Sequence, residues 1–299
     1  MTRGSRSTSG RAWPGATLAV PGAAWYLVFF VVPLAIILVY SLGYKPPVMT
    51  ARSSIGLDRL SLDNYRALAS PPVVDLFVMT LRTAALGTLL CLLLALPVAY
   101  VLATRVPRRW RALALGLVIV PFWTSFLLRT FAWRILLAGN GPVSTLLQEW
   151  GLLSDPLNVL GTAAAVQLGV VYNYLPLMIF PVFVAFDRLD PALREASQDL
   201  GANRLSTFLQ VTLPLACPGM TAGALLVFIP LAGEYVTPSI LGGVRGAMAG
   251  NLIASQFLEA QHWALGSAQA VALSLAILLV VAMSAALVAV ARRVLGAAR

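Results

Sequence analysis

Long apolar runs constrain this sequence more than any other feature. Six stretches of the 299-residue chain are poor in charged residues and long enough to cross a bilayer, which takes about 20 helical residues. They are residues 16–43, 76–104, 112–137, 158–186, 209–233 and 267–291. Because hydrocarbon offers no partner for backbone polar groups, each stretch is predicted to be a helix. The sequence therefore predicts an all-α polytopic membrane protein with six transmembrane helices.

Composition supports a membrane protein over a soluble one. Hydrophobic residues make up 59% of the chain and charged residues 11%, whereas about 25% of the residues in a soluble domain are charged. The net charge of +10 could indicate nucleic-acid binding, but the Arg residues flank the apolar stretches and form no single basic face. We therefore expect a lipid bilayer as partner, in the plasma or inner membrane, and no nucleic acid.

Residues that could carry catalysis or hold a cofactor are scarce. The chain has one His (His262), two Cys (Cys91 and Cys217) and one Lys (Lys45). These residues cannot supply the ligands of a zinc or iron site, and Lys45 does not lie in a phosphate-binding loop. No metal, cofactor or catalytic site is expected, and an intramembrane enzyme is a weak alternative.

The distribution of basic residues predicts the orientation. Thirteen Lys and Arg residues lie before the first stretch, between the second and third, between the fourth and fifth, and after the sixth, against five in the alternate connections. Because cytoplasmic loops carry the excess of basic residues, both termini are predicted to be cytoplasmic. Residues 1–15 are rich in Ser, Gly and Arg and are predicted to be a disordered tail, with residues 16–299 forming one transmembrane domain.

One cytoplasmic connection, residues 187–214, has the pattern of a capped helix. Asp190 is a favoured N-cap residue and Pro191 suits the first helical position. Gly201 is placed to end the helix with a positive φ. Apolar residues recur on one face at Leu193, Ala196 and Leu200. A helix with this ridge and a charged flank suits a groove on another protein, and an amphipathic connector lying on the membrane is the alternative.

The same connection resembles a known motif. The residues that match this motif are Glu195, Ala196, Ser197, Gly201, Val211, Leu213 and Pro214. This pattern is similar to the EAA loop of binding-protein-dependent ABC importer permeases, E-A-A-x3-G-x9-I-x-L-P, with Ser197 in place of the third residue and Val211 in place of Ile. The resemblance implies a type I ABC importer permease domain whose coupling helix docks into a separate ATPase subunit. The implied coupling residues are these seven together with Leu193 and Leu200.

Four further stretches extend the resemblance. Residues 121–133, 174–181, 228–238 and 250–257 are similar to signatures of spermidine/putrescine-type permeases, and of the first permease of that system in particular. The resemblance implies a second permease, ATPase subunits and an extracytoplasmic solute-binding protein as partners, and a polyamine as substrate. Ferric iron, a sulfate-type anion or another small solute are alternative substrates. An ion-coupled secondary transporter is a further alternative, although such proteins need acids inside the membrane.

Four polar residues in or near the predicted spans are candidates for the translocation path or its gate. Arg129 is expected to cap carbonyls or to pair with an acid such as Glu234, because an unpaired charge is costly in the membrane. Asn173 and Tyr174 either form interhelical hydrogen bonds or line the path. Glu234 is the best-placed acid to meet a cation.

Overall fold

The computed structural model describes residues 15–46 and 55–297. Among these residues the chain is helical and contains no strand, and a single antiparallel bridge joins Tyr44 and Gly56. The tail predicted at residues 1–15 lies outside the described residues, apart from Gly15, where the first helix begins.

The helices follow one another through short connections. In chain order they are α1 (Gly15–Tyr26), α2 (Val32–Ser41), α3 (Asp63–Leu68), α4 (Pro71–Thr104), α5 (Arg108–Trp123), α6 (Phe126–Leu136), α7 (Pro142–Glu149), α8 (Ala163–Asp187), α9 (Pro191–Asp199), α10 (Arg204–Thr207), α11 (Leu213–Ala232), α12 (Ala249–Leu258) and α13 (Trp263–Ala297). Within residues 15–46 and 55–297, three π-helical turns lie between them, at Leu27–Val31, Phe208–Thr212 and Pro238–Gly242. In the same described ranges five spans are long and apolar enough to cross a membrane, and the bent pair α5 and α6 makes a sixth if it is counted as one span.

The third predicted span, residues 112–137, is not one helix. Helix α5 ends at Trp123, α6 begins at Phe126, and the two helices are bent by 82°. Pro121 has no N–H to continue the helical hydrogen bonds, and the Thr124 hydroxyl donates to the Pro121 carbonyl at 2.7 Å. Both effects favour a break, which hydropathy could not reveal because both halves are apolar.

Two other spans begin at residues that the hydropathy pattern did not mark. Helix α4 begins at Pro71 rather than at residue 76, because a proline in the first turn gives up no helical hydrogen bond. Helix α8 begins at Ala163 rather than at residue 158. The side chain of Thr162 accepts a hydrogen bond from the Ala165 N–H, and Gly161 before it has a φ of +79°, outside the helical range.

The core is built around α8, which packs most extensively against α4 and α11. The crossing of α8 and α11 is close because two glycines of α11 face α8. A Cβ added at Gly219 would collide with Ala185, and one at Gly223 would lie 2.9 Å from the Met178 Sδ. This four-residue spacing of small residues is typical of tightly packed membrane helices.

The connection between α11 and α12 folds back against the bundle. Leu241, Met248 and Ala249 are buried, and the Pro238–Gly242 turn packs against α6 and α8. The N-terminus of α12 is capped from another helix, since the Ala249 N–H donates to the Thr80 Oγ1 at 2.7 Å. The sequence does not predict this cap, because a contact between residues so distant leaves no local pattern.

A pH dependence is expected at the start of α13. The His262 Nδ1 accepts a hydrogen bond from the Leu265 N–H at 3.2 Å, which requires the neutral ring. Burial lowers the pKa of His262, and the nearby Lys45 acts in the same direction. The hydrogen bond of neutral His262 therefore stabilises the folded protein fully above the ordinary pKa of 6.5, and this stabilisation is lost as the pH falls below that value.

Thermal unfolding of the purified protein between pH 7.5 and pH 5 measures this effect. His262→Asn keeps a capping side chain without a titrating ring, so its stability should fall less over the same range. An identical pH profile for both proteins would contradict the assignment, because His262 is the only histidine in the sequence.

Candidate functional site

Helix α9 forms where the sequence predicts a capped helix. The Asp190 carboxylate accepts a hydrogen bond from the Ala192 N–H at 3.0 Å, and Pro191 occupies the first helical position. The chain leaves the helix through Gly201, whose φ is +88°. The predicted N-cap and the predicted left-handed glycine are both confirmed.

The apolar ridge of α9 points away from the rest of the chain. Leu193 is 46% exposed and Leu200 is 89% exposed, and Ala196 between them is exposed as well. No residue of α9 is buried. Glu195 lies on the exposed charged flank of the same helix. This arrangement leaves an apolar strip uncovered on a short helix that has little core of its own.

The other half of the motif lies at the base of α11. The Phe208–Thr212 turn is π-helical and leads directly into α11, whose second residue, Pro214, has no N–H to donate. Val211 and Leu213 are partly buried at this point. The two halves are linked by Ser197, whose hydroxyl lies 3.1 Å from the Thr207 Oγ1. The replacement of Ala by Ser in the motif thus adds a contact between α9 and the fifth span.

The connection is fixed to α4 at its other end. The Arg111 guanidinium pairs with Asp187, the last residue of α8, and also donates to the carbonyl groups of Ala103 and Val106 at 2.6 and 2.9 Å. Tyr100 packs edge-on against Phe186, with ring centroids 5.7 Å apart. Sequence analysis missed the role of Arg111 because its partner is 76 residues away.

Arg129 lies in a buried polar site between α6 and α8. Its side chain is 8% exposed, and its Cζ lies 5.4 and 5.8 Å from the ring centroids of Phe122 and Phe126. The Nε and Nη1 atoms have no hydrogen-bond partner. Arg129 forms no ion pair with any described residue, so the expected pairing with Glu234 is not found.

Asn173 and Tyr174 lie on the adjacent part of α8. The Asn173 Nδ2 donates to the Thr130 Oγ1 at 3.2 Å, which ties α8 to α6, and the Asn173 Oδ1 has no partner. The Tyr174 ring packs edge-on against Phe126, with centroids 6.3 Å apart. Three of the four candidate path residues therefore meet at the break of the third span, and one of them forms the expected interhelical hydrogen bond.

The Glu234 carboxylate is engaged by its own turn. Its Oε1 accepts the N–H groups of Val236 and Thr237 at 3.0 and 2.9 Å, and its Oε2 accepts the Thr237 hydroxyl at 2.8 Å. The side chain is 6% exposed. Asn251 of α12 joins the same region by donating to the Tyr235 carbonyl at 3.0 Å. Glu234 thus fixes the turn between α11 and α12, a role the sequence pattern did not predict.

Two substitutions at Glu234 separate a structural role from a role in the path. Glu234→Ala leaves the buried donors of Val236 and Thr237 unpaired and should destabilise the protein by about 2–4 kcal/mol. Glu234→Gln keeps an acceptor and should lose less stability, with uptake close to that of the parent. A Gln variant that folds normally but transports nothing would show that the charge acts in transport.

Comparisons with known proteins agree with this architecture. A family model described as binding-protein-dependent transport system inner membrane component matches residues 95–296. The chain is 34% identical to the spermidine/putrescine transport system permease protein PotB of Haemophilus influenzae over 258 residues, which cover 86% of this chain and 88% of that protein. It is 38% identical to PotB of Escherichia coli over 215 residues, which cover 72% and 78%.

Solved structures share the fold. A bacterial ABC transporter involved in the import of the acidic polysaccharide alginate contains a chain with a TM-score of 0.70 at 17% identity, covering 93% of this chain and 95% of that one. The MetNI methionine ABC transporter contains one with a TM-score of 0.52 at 19% identity, covering 70% and 93%. The all-α polytopic fold predicted from the sequence is confirmed.

The family model and these relatives identify a multi-pass transport component of the inner membrane rather than an enzyme, and the helical fold agrees with them. The chain belongs to the family of binding-protein-dependent transport system inner membrane components. This membership disfavours the intramembrane enzyme and the ion-coupled secondary transporter.

Proposed function

We propose that this chain is a permease subunit of an ATP-driven ABC importer for polyamines. It forms the translocation path together with a second permease and couples through α9 to separate ATPase subunits. A solute-binding protein outside the membrane delivers the substrate. The observation that carries the proposal is α9 itself, a capped helix with an uncovered apolar ridge. Arg111 holds the end of α8 that precedes it, and Ser197 links α9 to Thr207 of α10.

The uncovered helices support a second permease. No residue of α5 is buried, although this helix forms the first part of the third span. The most apolar window of the Ala19–Ser41 span also buries no residue within the chain. A single chain therefore leaves broad apolar faces open, and the one on α5 adjoins the buried polar site through Phe122, as expected for one half of a path.

The substrate assignment is supported by the relatives named above, which share 34% and 38% of their aligned residues with this chain. The structure adds that Glu234, the acid that the sequence marks as best placed to meet a cation, is engaged by its own turn. Recognition of the cation would then fall mainly to the binding protein and to the assembled pair of permeases.

Uptake of labelled spermidine into vesicles that contain all the subunits tests this function. Replacing the phosphate-binding lysine of the ATPase should reduce uptake to background, and unlabelled putrescine should compete where ferric citrate and sulfate do not. Uptake that survives the ATPase substitution and stops when the ion gradient is dissipated would contradict an ATP-driven importer.

Orientation is tested with single cysteines in a chain that lacks Cys91 and Cys217. Val244→Cys, at a position that is 95% exposed, should react with an impermeant thiol reagent added from outside. Leu200→Cys, at a position that is 89% exposed, should react only after the membrane is opened. Bound ATPase should then protect it. Labelling of Leu200→Cys from outside in intact cells would contradict both the cytoplasmic termini and the coupling role of α9.

A further inference from the structure

The geometry points to Arg129 as an anchor for the second permease, in which the guanidinium binds a carboxylate of that chain when the two permeases assemble. The inference rests on the proposed function to the extent that it assumes a second permease. In this arrangement one buried side chain selects and orients the partner.

The guanidinium of Arg129 lacks hydrogen-bond partners. Arg129 is 8% exposed, and its Nε and Nη1 atoms are buried without a partner. The rings of Phe122 and Phe126 lie against it, but aromatic faces do not replace hydrogen-bond acceptors. A buried charge that has neither an acceptor nor a counter-ion is unfavourable in a membrane, so a stable assembly is expected to provide one.

The described part of this chain does not supply a counter-ion for Arg129. Glu234 already accepts three hydrogen bonds from Val236 and Thr237. The ion pairs found among the described residues lie elsewhere, between Arg66 and Asp63 and between Arg111 and Asp187. An anionic group for Arg129 therefore has to come from outside the described chain.

Arg129 lies beside an uncovered apolar face formed by α5 and the start of α6. Leu128 next to it is 68% exposed, Trp123 at the break is 85% exposed, and α5 buries no residue. Exposed apolar residues alone could equally face lipid. Lipid tails, however, cannot satisfy a guanidinium, whereas a protein surface that carries an acid can satisfy it and cover the apolar residues as well. The combination favours a protein partner at this face.

The site around Arg129 is held in place within this chain, before any assembly. The Asn173 Nδ2 donates to the Thr130 Oγ1, which fixes α6 to α8 one residue beyond Arg129. Phe122 precedes the break and Phe126 follows it, so the guanidinium contacts both sides of the bend. A fixed guanidinium loses little side-chain freedom when it binds a carboxylate, and its Nη2, which is not among the buried unpartnered atoms, is the donor that another chain can reach. Neutralising this charge would also remove a barrier to a cationic substrate.

The test uses the complete importer, purified through a tag on this chain. Arg129→Gln should lower the recovery of the second permease about tenfold or more, since loss of one partner leaves a buried charge unpaired. Arg134→Gln, on the same helix at an exposed position, should leave the recovery unchanged. In the Arg129→Gln background, neutralising one acid within the spans of the second permease should restore recovery, because two neutral partners leave no buried charge.

Three results would overturn the inference. Recovery of the second permease with Arg129→Gln at the parent level would show that Arg129 is no anchor. If Arg129→Gln lowers the thermal stability of the isolated chain as much as it lowers recovery, Arg129 stabilises the fold of this chain and does not bind the partner. Recovery that depends on phosphatidylglycerol rather than phosphatidylcholine in nanodiscs, and not on an acid of the partner, would assign it to a lipid headgroup. If the unsubstituted chain recovers no second permease, the proposed function fails together with the inference.

Discussion

Glu195→Lys is expected to abolish uptake while the chain remains folded in the membrane. Glu195 is exposed on α9, so its replacement disturbs no buried contact. It shares a polar cavity of about 530 Å³ with Arg105, Arg194 and Arg204, where a lysine would add a fourth positive charge. Like charges brought together at an interface cost several kcal/mol, so uptake should fall by about a hundredfold.

Uptake and recovery of the ATPase on the tagged chain measure this effect together. Glu195→Gln should give an intermediate loss, because it removes the charge without reversing it. Glu149→Lys provides the matched control, since it reverses an exposed charge on α7, far from the cytoplasmic connection in the predicted topology. Normal uptake with normal ATPase recovery in Glu195→Lys would remove α9 from the coupling role.

Gly201→Val is the second substitution expected to have a large effect. The φ of Gly201 is +88°, and a Cβ added there would meet no atom within 4 Å. The cost is therefore conformational rather than steric crowding by neighbours, about 1–2 kcal/mol for an ordinary residue and more for a β-branched one. The chain would relieve this cost by changing its path after α9, which would move the ridge away from its binding position.

A series at this position separates backbone strain from other effects. Uptake should decrease in the order Gly, Asn, Ala, Val, because Asn tolerates the left-handed region best among these replacements. Gly151→Val tests the same strain in the turn after α7, on the other side in the predicted topology, where φ is +71° and the added Cβ is also unobstructed. If Gly151→Val lowers uptake as much as Gly201→Val does, the loss comes from general destabilisation and not from coupling.

The parts of the structure that the sequence predicted correctly depend on local rules. Apolar length located the spans, and the N-cap of Asp190 and the left-handed Gly201 followed from residues next to each other in the chain. Hydrophobic periodicity placed Leu193 and Leu200 on one exposed face. Each of these features is decided within a few residues, so a single sequence carries enough information to predict it.

The features that sequence analysis did not predict depend on competition or on distance. Arg129 was expected to pair with Glu234, but the N–H groups of Val236 and Thr237 lie closer along the chain and engage that carboxylate first. The pairing of Arg111 with Asp187 and the cap that Thr80 provides join segments far apart in the sequence. Contacts of this kind leave no periodic pattern, and only the folded chain reveals them.

The two glycines of α11 that face α8 determine how a displacement of α9 can travel. Gly219 and Gly223 bring the helices so close that Ala185 and the fully buried Met178 pack directly against α11, which leaves little free space to absorb a shift. Because α9 is inserted between these two helices in the chain, they are expected to move as one rigid body when it is pushed. The Pro238–Gly242 turn packs against the other end of α8, so the same displacement is expected to reach that end of the bundle as well.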